Sequence, residues 1–517
     1  MITWNAEEGA DVQIDSALYA YQQFLTTTLD AHFQDDVSAS ADHERLLLFR
    51  HTAESVPAYR QFLSCQGIDP AVIATPADLK HLPPVTRENY ISRHPLQDLC
   101  RSGVLEHCDM IAVSSGSTGK PTFWPRALSD EFHTAWRFEQ VFHDSFMADK
   151  RRTLAVICFS LGTWVGGMFT ASCCRHLASK GYPITVVTPG NNREEIFRVV
   201  QDLAPLYDQT VLLGYPPFLK DVIDTGIAGG RVPWPNYKIK LVMAGEVFSE
   251  EWRSLVAERV GSEDICFDSA SLYGTADAGV LGNETPLSIC IRRYLAIHPD
   301  IARELFGESR LPTLVQYDPR SRFFEAEENR LLFTGDNGIP LIRYNIMDTG
   351  GIVGYDEMLA FLKARGFDAL GAVRLEGNRA GDLNLRPARR LPFAYVFGRS
   401  NFTVSYFGAN IYPENISVGL EQIGIKEWVT GKFVLEVLEN EAHNKRLSVT
   451  IELAPGVEPD NEKRSLAAAA IKNHLIRLNS EFANYTPEPY REPDVVLKRT
   501  GDPDYFPTGV KHRYTRA

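Results

Sequence analysis

Residues 110–122 concentrate side chains whose chemistry suits a bound anion. An apolar triplet, Met110-Ile111-Ala112, is typical of a strand end, and five hydroxyls, two glycines and Lys120 follow it closely. Glycine lets the backbone turn tightly and bring N–H groups close to an anion, while hydroxyls and an ammonium add donors. A polyphosphate is one expected ligand, although Pro121 and the glycine spacing differ from a Walker motif. A flexible surface loop is the alternative, because Ser/Gly/Thr clusters commonly form one.

The elements around this segment are expected to form an α/β fold. Apolar runs with strand character occur at 154–157, 184–187, 210–213 and 239–243. Helical periodicity occurs at 193–203 and 250–260, and this alternation predicts mostly parallel sheets covered by helices. Helices are also expected over residues 15–65, with a break near Pro57, and a helix start at 75–80.

A second domain is expected because 517 residues exceed what one hydrophobic core normally organises. After Gly398 the pattern changes to strands at 433–438 and 447–453, a helix at 461–482 and a short strand at 495–497. We therefore predict a large N-terminal domain, residues 1–398, and a small mobile C-terminal α+β domain, residues 399–517.

The composition restricts the classes of partner. Acidic residues outnumber basic ones by 66 to 53, a net charge of −13, which disfavours nucleic acid or an anionic membrane as the main partner. The eight cysteines lack C-x-x-C spacing, and the N-terminus lacks the order of a signal peptide. The uncharged run at 153–174 is interrupted by glycines and hydroxyls, so we interpret it as a strand, a turn and a helix start. We expect a soluble cytoplasmic protein with reduced thiols and no zinc site.

Several motifs, in the same order, are similar to those of one superfamily. Residues 55–60, Ser-Val-Pro-Ala-Tyr-Arg, resemble N-V-P-x-Y-R. Residues 82–89, Leu-Pro-Pro-Val-Thr-Arg-Glu-Asn, resemble L-P-x-T-x-K-x-D-L, and residues 114–122 resemble S-S-G-T-T-G-K-P-T. The chain thus resembles the adenylate-forming (ANL) superfamily, and most closely its phenylacetate–coenzyme A ligase-like branch. Each match alone has low specificity, whereas the ordered set is specific.

The resemblance implies that the loop at 114–122 holds the phosphates of ATP while a carboxylate attacks the α-phosphorus. Such a displacement needs charge neutralisation and alignment more than covalent help. The ATP-binding residues implied in this loop are Ser114, Ser115, Gly116, Ser117, Thr118, Gly119 and Lys120.

Two further motifs resemble the superfamily's nucleotide site. Ala244, Gly245 and Glu246 follow a strand candidate and resemble its G-A-E adenine-site turn, at the strand end where α/β sheets bind ligands. For Glu246 alone, an acidic helix cap is an equal alternative.

The segment Ser-Leu-Tyr-Gly-Thr-Ala-Asp, ending at Asp277, resembles x-x-Y-G-x-S/T-E. The resemblance implies that Tyr273 backs the adenine, that Gly274 and Thr275 belong to the ATP site, and that Asp277 holds Mg²⁺. Ala276 stands where the motif has a hydroxyl, and Asp277 replaces a glutamate. A lower rate, replacement of the hydroxyl by Thr275 and altered chemistry are the outcomes left open.

Residues 341–348 resemble P-x-I-R-Y-R-T-x-D, whose last acid, here Asp348, accepts both ribose hydroxyls. A turn residue is the alternative for Asp348. Arg399 and Asn401 lie in a match to the G-R-x-D hinge, about which the small domain rotates between half-reactions. Asn401 replaces the usual Asp but tolerates unusual backbone angles.

Lys511 stands where the superfamily keeps the lysine that bridges the substrate carboxylate and the phosphate during adenylation. Lys498 and Arg499 leave this register open, and a basic solvated tail is the alternative. Residues 408–413 resemble G-V-N-V-F-P, which the resemblance places near the acyl-acceptor tunnel.

The acyl pocket implied by the resemblance lies between the glycine-rich segment after residue 160 and two strand ends. The candidate lining residues are Phe159, Trp164, Tyr215 and Phe218. Aromatic residues are more often part of the core, but as a lining they suit an aromatic or medium-length apolar acid.

The function implied is ATP-dependent activation of a carboxylic acid to an acyl-adenylate with release of pyrophosphate, then transfer to coenzyme A. Lys511 and Asp277 would be the catalytic residues. The cofactors and co-substrates would be ATP, Mg²⁺ and coenzyme A. A homodimer is possible. Transfer to an amine or a carrier-protein thiol is one alternative. A nucleotide-binding protein without catalysis is the other, motivated by Ala276 and the shorter Asp277.

Overall fold

The computed structural model describes residues 8–33, 37–106, 108–114, 122–163, 165–307, 311–379, 386–399, 404–454, 456–506 and 514–515. Within these ranges, none of the helices combines the length and apolar character that spanning a membrane requires.

Helices precede the sheet, as the sequence predicted. They are α1 (Glu8–Thr26), α2 (Leu29–His32), α3 (Val37–Ser55) and α4 (Pro57–Cys65). The predicted break occurs at Val56, which is extended, and Pro57 opens α4 because its missing N–H costs nothing in a first turn. The helix start predicted at 75–80 is a short 3₁₀ helix, Pro76–His81, where the Asp78 carboxylate accepts the backbone N–H of Thr75 at 2.8 Å.

An eleven-stranded sheet is the centre of the large domain. A separate antiparallel hairpin, β1 (Met110–Ser114) and β2 (Thr122–Arg126), precedes it. The strands of the sheet are β3 (Thr153–Ile157), β4 (Ile184–Val187), β5 (Gln209–Gly214), β6 (Ile239–Ala244), β7 (Ser269–Thr275), β8 (Gly279–Asn283), β9 (Thr313–Gln316), β10 (Arg322–Glu327), β11 (Arg330–Gly335), β12 (Leu341–Val353) and β13 (Phe393–Arg399). Their spatial order is β10-β11-β12-β13-β9-β8-β7-β6-β5-β3-β4.

Helices connect and cover these strands. They are α5 (Leu128–Gln140), α6 (Val165–Ser179), α7 (Arg193–Leu203), α8 (Pro216–Ala228), α9 (Glu250–Val260), α10 (Ile265–Asp268), α11 (Pro286–Ala296), α12 (Pro299–Phe306), α13 (Tyr355–Lys363) and α14 (Ala369–Arg379). The α/β class is therefore confirmed.

The sheet is mixed and not parallel throughout. Strands β4, β3, β5, β6 and β7 pair in parallel, as their helical connections predicted, whereas the pairings from β7 to β10 are antiparallel. The turn between β10 and β11 places Glu328 and Asn329 at positive φ. Connections this short can join only antiparallel neighbours, because a parallel crossover needs a dozen or more residues.

The small domain follows β13. It contains β14 (Val404–Tyr406), β15 (Ala409–Ile411), α15 (Pro413–Leu420), β16 (Val429–Glu439), β17 (Lys445–Leu453), α16 (Asn461–Leu478), α17 (Ser480–Tyr485) and β18 (Asp494–Lys498). The single helix predicted at 461–482 is interrupted at Asn479, whose side chain accepts the backbone N–H of Phe482 and caps α17. Residues 400–403 lie outside the described ranges, so the domain boundary at 398/399 stays a prediction.

A buried ion network fixes the strand ends that face the small domain. The Arg253 guanidinium on α9 donates to Glu250 at 3.0 Å and to Glu284 at 2.7 Å, and Glu284 also accepts the backbone N–H of Ser271 on β7. Burial alone would raise the pKa of Glu250, but the charges of Arg253 and Arg292 hold that pKa below its usual value. Because Glu250 opens α9, the network ties the turn after β6 to β7.

We expect Arg253→Met to lower the free energy of unfolding by roughly 3–5 kcal/mol, because it leaves two buried carboxylates without their shared partner. Arg198→Met is the matched control: Arg198 pairs with Glu195 on the surface, where an ion pair contributes at most about 1 kcal/mol. Urea unfolding followed by tryptophan fluorescence measures both. Equal midpoints for the two variants would show that the network does not stabilise the fold.

Candidate active site

A cavity of about 1600 Å³ lies where the carboxyl ends of β5, β6 and β7 face the small domain. The large domain lines it with Tyr215, residues 244–251 and residues 271–277, and the small domain with Lys445 and Tyr485, among others. Open α/β sheets bind ligands outside the carboxyl ends of their strands. The motifs at 244–246 and 271–277 therefore line one cavity.

Two tyrosine–carboxylate pairs form one wall of this cavity. The Tyr273 hydroxyl on β7 donates to Asp348 Oδ2 at 2.6 Å. Asp348 lies inside β12, opposite Arg399 of β13, and therefore is not a turn residue. The Tyr344 hydroxyl, also on β12, donates to Asp277 Oδ2 at 2.5 Å.

Asp277 belongs to the turn between β7 and β8, and Arg126 contacts the backbone of that turn. The Arg126 guanidinium, at the end of β2, donates to the backbone carbonyl of Ala276. Burial lowers the pKa of Arg126, while the charges of Asp130 and Asp277 oppose that change. Ala276 thus has a structural contact through its carbonyl at the position where the motif has a hydroxyl.

Asp277 also fits the Mg²⁺ that the resemblance implied. Its carboxylate is 8% exposed and lines the cavity, and Mg²⁺ commonly binds one or two protein carboxylates together with waters and substrate phosphates. Within the described ranges, no group of three or more His, Cys, Asp or Glu could hold a metal ion, so Asp277 would hold it together with waters and substrate phosphates.

The described ends of the predicted phosphate loop are held beside this wall. Ser114 and Thr122 are opposite each other in the β1–β2 hairpin, and the Trp124 indole N–H donates to the Ser114 hydroxyl at 2.9 Å. Arg87, which lines the cavity, donates to the Thr122 hydroxyl. Both Ser114 and Arg87 face the cavity, so the hairpin brings the two ends of the loop to the site.

Several predicted residues lie outside the described ranges. They are Ser115, Gly116, Ser117, Thr118, Gly119, Lys120, Trp164, Asn401 and Lys511. Only the backbone of Arg399 is described. Their roles stay predictions, although Phe506 and Thr515, on either side of residues 507–513, line the cavity.

Glu246 contacts the small domain. Its Oε1 accepts the backbone N–H of Gly408 at 2.7 Å, and Lys445 Nζ lies 2.5 Å from its Oε2. The alternative of a helix cap is not supported, because Ser249 caps α9 by accepting the N–H of Trp252. Ala244 and Gly245 line the cavity, as predicted for this turn.

Part of the cavity wall is apolar and largely aromatic. Phe138 of α5, Phe169 of α6, Phe159, Tyr215 and Val280 line it. The prediction for Phe159 and Tyr215 agrees with this arrangement, and their rings meet edge to face at 4.9 Å. Phe218 needs a correction: it is 3% exposed and packs in the core on α8, away from the lining.

Sequence reasoning did not identify three residues of this site. Tyr344 lies within the motif at 341–348 but was not singled out, and Arg126 follows the loop without a motif of its own. Lys445 stands in a polar loop between predicted strands, where no local pattern indicates a partner. The sequence shows only that Arg126 and Lys445 are charged and that Tyr344 carries a hydroxyl, and these properties do not show which residue each one contacts.

Comparisons with known proteins agree with this architecture. No protein-family model matches the chain. A phenylacetate–coenzyme A ligase from Aromatoleum evansii is 22% identical over 454 residues, 84% of this chain and 86% of that protein. One from Thermus thermophilus is 24% identical over 304 residues, 57% of this chain and 61% of that protein.

Solved structures give the same fold. A 2-hydroxyisobutyryl-CoA ligase in its thioesterification state, with 2-HIB-AMP and CoA, aligns with a TM-score of 0.62 and 14% identity over 93% of this chain and 89% of that one. The same ligase in its postadenylation state aligns with a TM-score of 0.52 and 13% identity over 92% of this chain and 87% of that one.

The chain is thus similar in sequence to a phenylacetate–coenzyme A ligase over most of its length, and its fold is that of 2-hydroxyisobutyryl-CoA ligase.

We expect Tyr273→Phe to weaken ATP binding about two- to tenfold, because it removes the hydrogen bond that orients Asp348. Isothermal titration of ATP into the full-length protein measures this. Tyr317→Phe is the control, since Tyr317 is a buried tyrosine that does not line the cavity. Equal ATP affinities for the two variants would argue against a role of Asp348 in the nucleotide site.

Proposed function

We propose that this protein is an AMP-forming acid–thiol ligase that converts a carboxylic acid to its coenzyme A thioester. In the first half-reaction, a carboxylate oxygen attacks the α-phosphorus of ATP and pyrophosphate leaves. In the second, the thiol sulfur of coenzyme A attacks the acyl carbon and AMP leaves. The observation that carries this proposal is one cavity that joins the Asp348 and Asp277 wall to an aromatic pocket, between two domains.

The residues act mainly by binding and orientation. Asp348 would accept the ribose hydroxyls, with Tyr273 holding its carboxylate, and the loop of residues 114–120 would hold the phosphates. Asp277 would hold Mg²⁺, which supplies charge neutralisation as negative charge moves to the leaving pyrophosphate. Tyr344 would keep the Asp277 carboxylate directed into the cavity.

The proposed substrate class follows from the aromatic part of the cavity wall. The lining residues Phe138, Phe159 and Phe169 bring aromatic surface and no charge. An uncharged aromatic or medium-length apolar chain would bury its surface there without leaving a buried charge unpaired. The similarity to phenylacetate–coenzyme A ligases supports an aromatic acid.

Further properties belong to the same proposal. We infer a cytoplasmic protein without nucleic acid or membrane partners, in keeping with its net charge of −13 and its free cysteines. A homodimer would be detected by light scattering after gel filtration.

The function is tested by incubating the protein with ATP, Mg²⁺, coenzyme A and a panel of carboxylic acids. Mass spectrometry should detect both an acyl-adenylate and a thioester for apolar aromatic acids. ATP binding without pyrophosphate release on any acid would favour the nucleotide-binding alternative. Adenylate that transfers only to an amine or a carrier-protein thiol would exclude coenzyme A as the acceptor.

The size of the acyl pocket gives a second test. A Cβ added at Gly166, the second residue of α6, would meet Tyr215 and Phe159 at ordinary contact distances of 3.6–3.8 Å. Gly166→Ala should therefore be tolerated, whereas Gly166→Leu should fill the pocket and lower kcat/KM for aromatic acids about tenfold or more, relative to short acids. An unchanged ratio in Gly166→Leu would place the acyl group elsewhere.

Lys511 is tested by separating the half-reactions. Lys511→Ala should lower adenylate formation about a hundredfold or more, since it removes a cation beside the reacting oxygens, and should spare thioester formation from a supplied acyl-adenylate. Lys498→Ala is the control, because Lys498 lies on β18 beside Asp502 at 3.5 Å. Equal loss of both half-reactions in Lys511→Ala would rule out this assignment.

A further inference from the structure

One carboxylate in the turn of residues 244–246 binds two groups of the small domain. Both oxygens of Glu246 bind the small domain, Oε1 the N–H of Gly408 and Oε2 the ammonium of Lys445. The Glu246 side chain is 0% exposed and that of Lys445 is 13% exposed. We refer to Glu246, Gly408 and Lys445 as the interdomain clamp.

The two turns that form the clamp both approach the ring of Tyr215 closely through a glycine. Gly245 and Gly408 have φ of +88° and +84°, and a Cβ on either would meet the Tyr215 ring within 3 Å. The Ser405 hydroxyl also donates to the Gly245 carbonyl at 3.3 Å. The two turns therefore pack against the same ring, and this contact positions the Glu246 carboxylate against the Gly408 N–H.

The clamp differs in energy from the other contacts between the domains. The Lys220 ammonium binds Asn444 Oδ1 at 2.7 Å, and the Tyr490 hydroxyl binds Asp221 at 3.0 Å, so each joins a charged group to a neutral one. In the clamp, two charged groups have left water. If Lys445 alone is replaced, the Glu246 carboxylate stays buried without its cation in this domain arrangement, which is strongly unfavourable, so the arrangement depends on Lys445.

A second carboxylate, that of Glu439, lies on the strand next to Lys445. Glu439 on β16 is the cross-strand partner of Lys445 on β17, and directly opposed side chains of opposite charge attract. Glu439 also lines the cavity and contacts His443. Departure of the small domain would leave Glu246 without its cation, while Lys445 would keep Glu439 nearby.

We propose that Lys445 is a positioning residue for thioester formation: through Glu246, it holds the small domain in the arrangement that serves the second half-reaction. The inference rests on the proposed function. It is supported by the higher TM-score to the thioesterification state of 2-hydroxyisobutyryl-CoA ligase, 0.62, than to its postadenylation state, 0.52, because these two structures contain the same ligase.

The kinetic test separates the two half-reactions in three variants. Lys445→Met should lower the rate of thioester formation from a supplied acyl-adenylate and coenzyme A about tenfold or more, because a charged hydrogen bond is lost. The rate of ATP–pyrophosphate exchange, which reports adenylation, should stay unchanged or rise. Lys445→Arg should restore most of the thioester rate, since a guanidinium keeps the charge.

Lys472→Met is the matched control. Lys472 lies on α16 of the small domain, outside the cavity lining, and its ammonium pairs with Glu492 of the same domain at 3.1 Å. The thioester rate of this variant should stay within about twofold of the wild type, since an exposed pair contributes little. Equal loss of both half-reactions in Lys445→Met, or equal loss of the thioester rate in the two Met variants, would overturn the proposal.

Hydrogen exchange tests the clamp without catalysis. In the full-length protein, peptides that contain Gly408 should exchange faster in Lys445→Met than in Lys472→Met, because the Glu246 carboxylate that protects the Gly408 N–H loses its cation. Equal exchange would show that no clamp holds the domains together. If the wild-type protein released no pyrophosphate with any acid, the proposed function would fail, while this exchange measurement would still decide on the clamp.

Discussion

The geometry of the cavity depends on a buried guanidinium between two carboxylates. Arg253 joins Glu250, at the start of α9, to Glu284, which accepts the N–H of Ser271 on β7. Removing these charges from water is costly unless every one has a partner, so the network has few alternative arrangements. The turn between β6 and α9 lies beside this network. It carries Gly245 and Glu246, so the network positions both a part of the cavity wall and the contact with the small domain.

The two tyrosine–carboxylate pairs fix further side chains of the cavity wall, from strands that are not neighbours in the sheet. Tyr273 and Asp348 are 75 residues apart, and Asp277 and Tyr344 are 67 apart, yet each pair meets through one short hydrogen bond. In both pairs, one partner comes from β7 or the turn after it and the other from β12. The pairs therefore require the antiparallel half of the sheet, which brings β12 over the end of β7. They orient both carboxylates before any ligand binds, which lowers the cost of ordering them.

The turn that carries Ala244, Gly245 and Glu246 both lines the cavity and contacts the small domain. Glu246 belongs to the motif that the resemblance assigned to adenine, while its carboxylate contacts Gly408 and Lys445. One turn thus contributes backbone to the cavity and a side chain to the interface. This arrangement gives the position of the small domain a direct effect on the site, because movement of Lys445 changes the charge balance beside the wall.

The sequence by itself determined the α/β class and most elements, and its motifs singled out the carboxylates of the candidate site, because these depend on local patterns. Helical periodicity located α7 and α9 at the bounds that the structure gives. Ordered motifs located Asp277 and Asp348, since a motif is a contiguous chemical signal.

Only the tertiary structure determines which distant side chains contact each other. Lys445 meets Glu246 across 199 residues, and Arg126 meets Ala276 across 150, which no local pattern records. It also placed Phe218 in the core, made half of the sheet antiparallel and divided the predicted helix at Asn479. The physical reason is that strand order and domain placement decide which distant side chains meet, and these follow from packing of the whole chain.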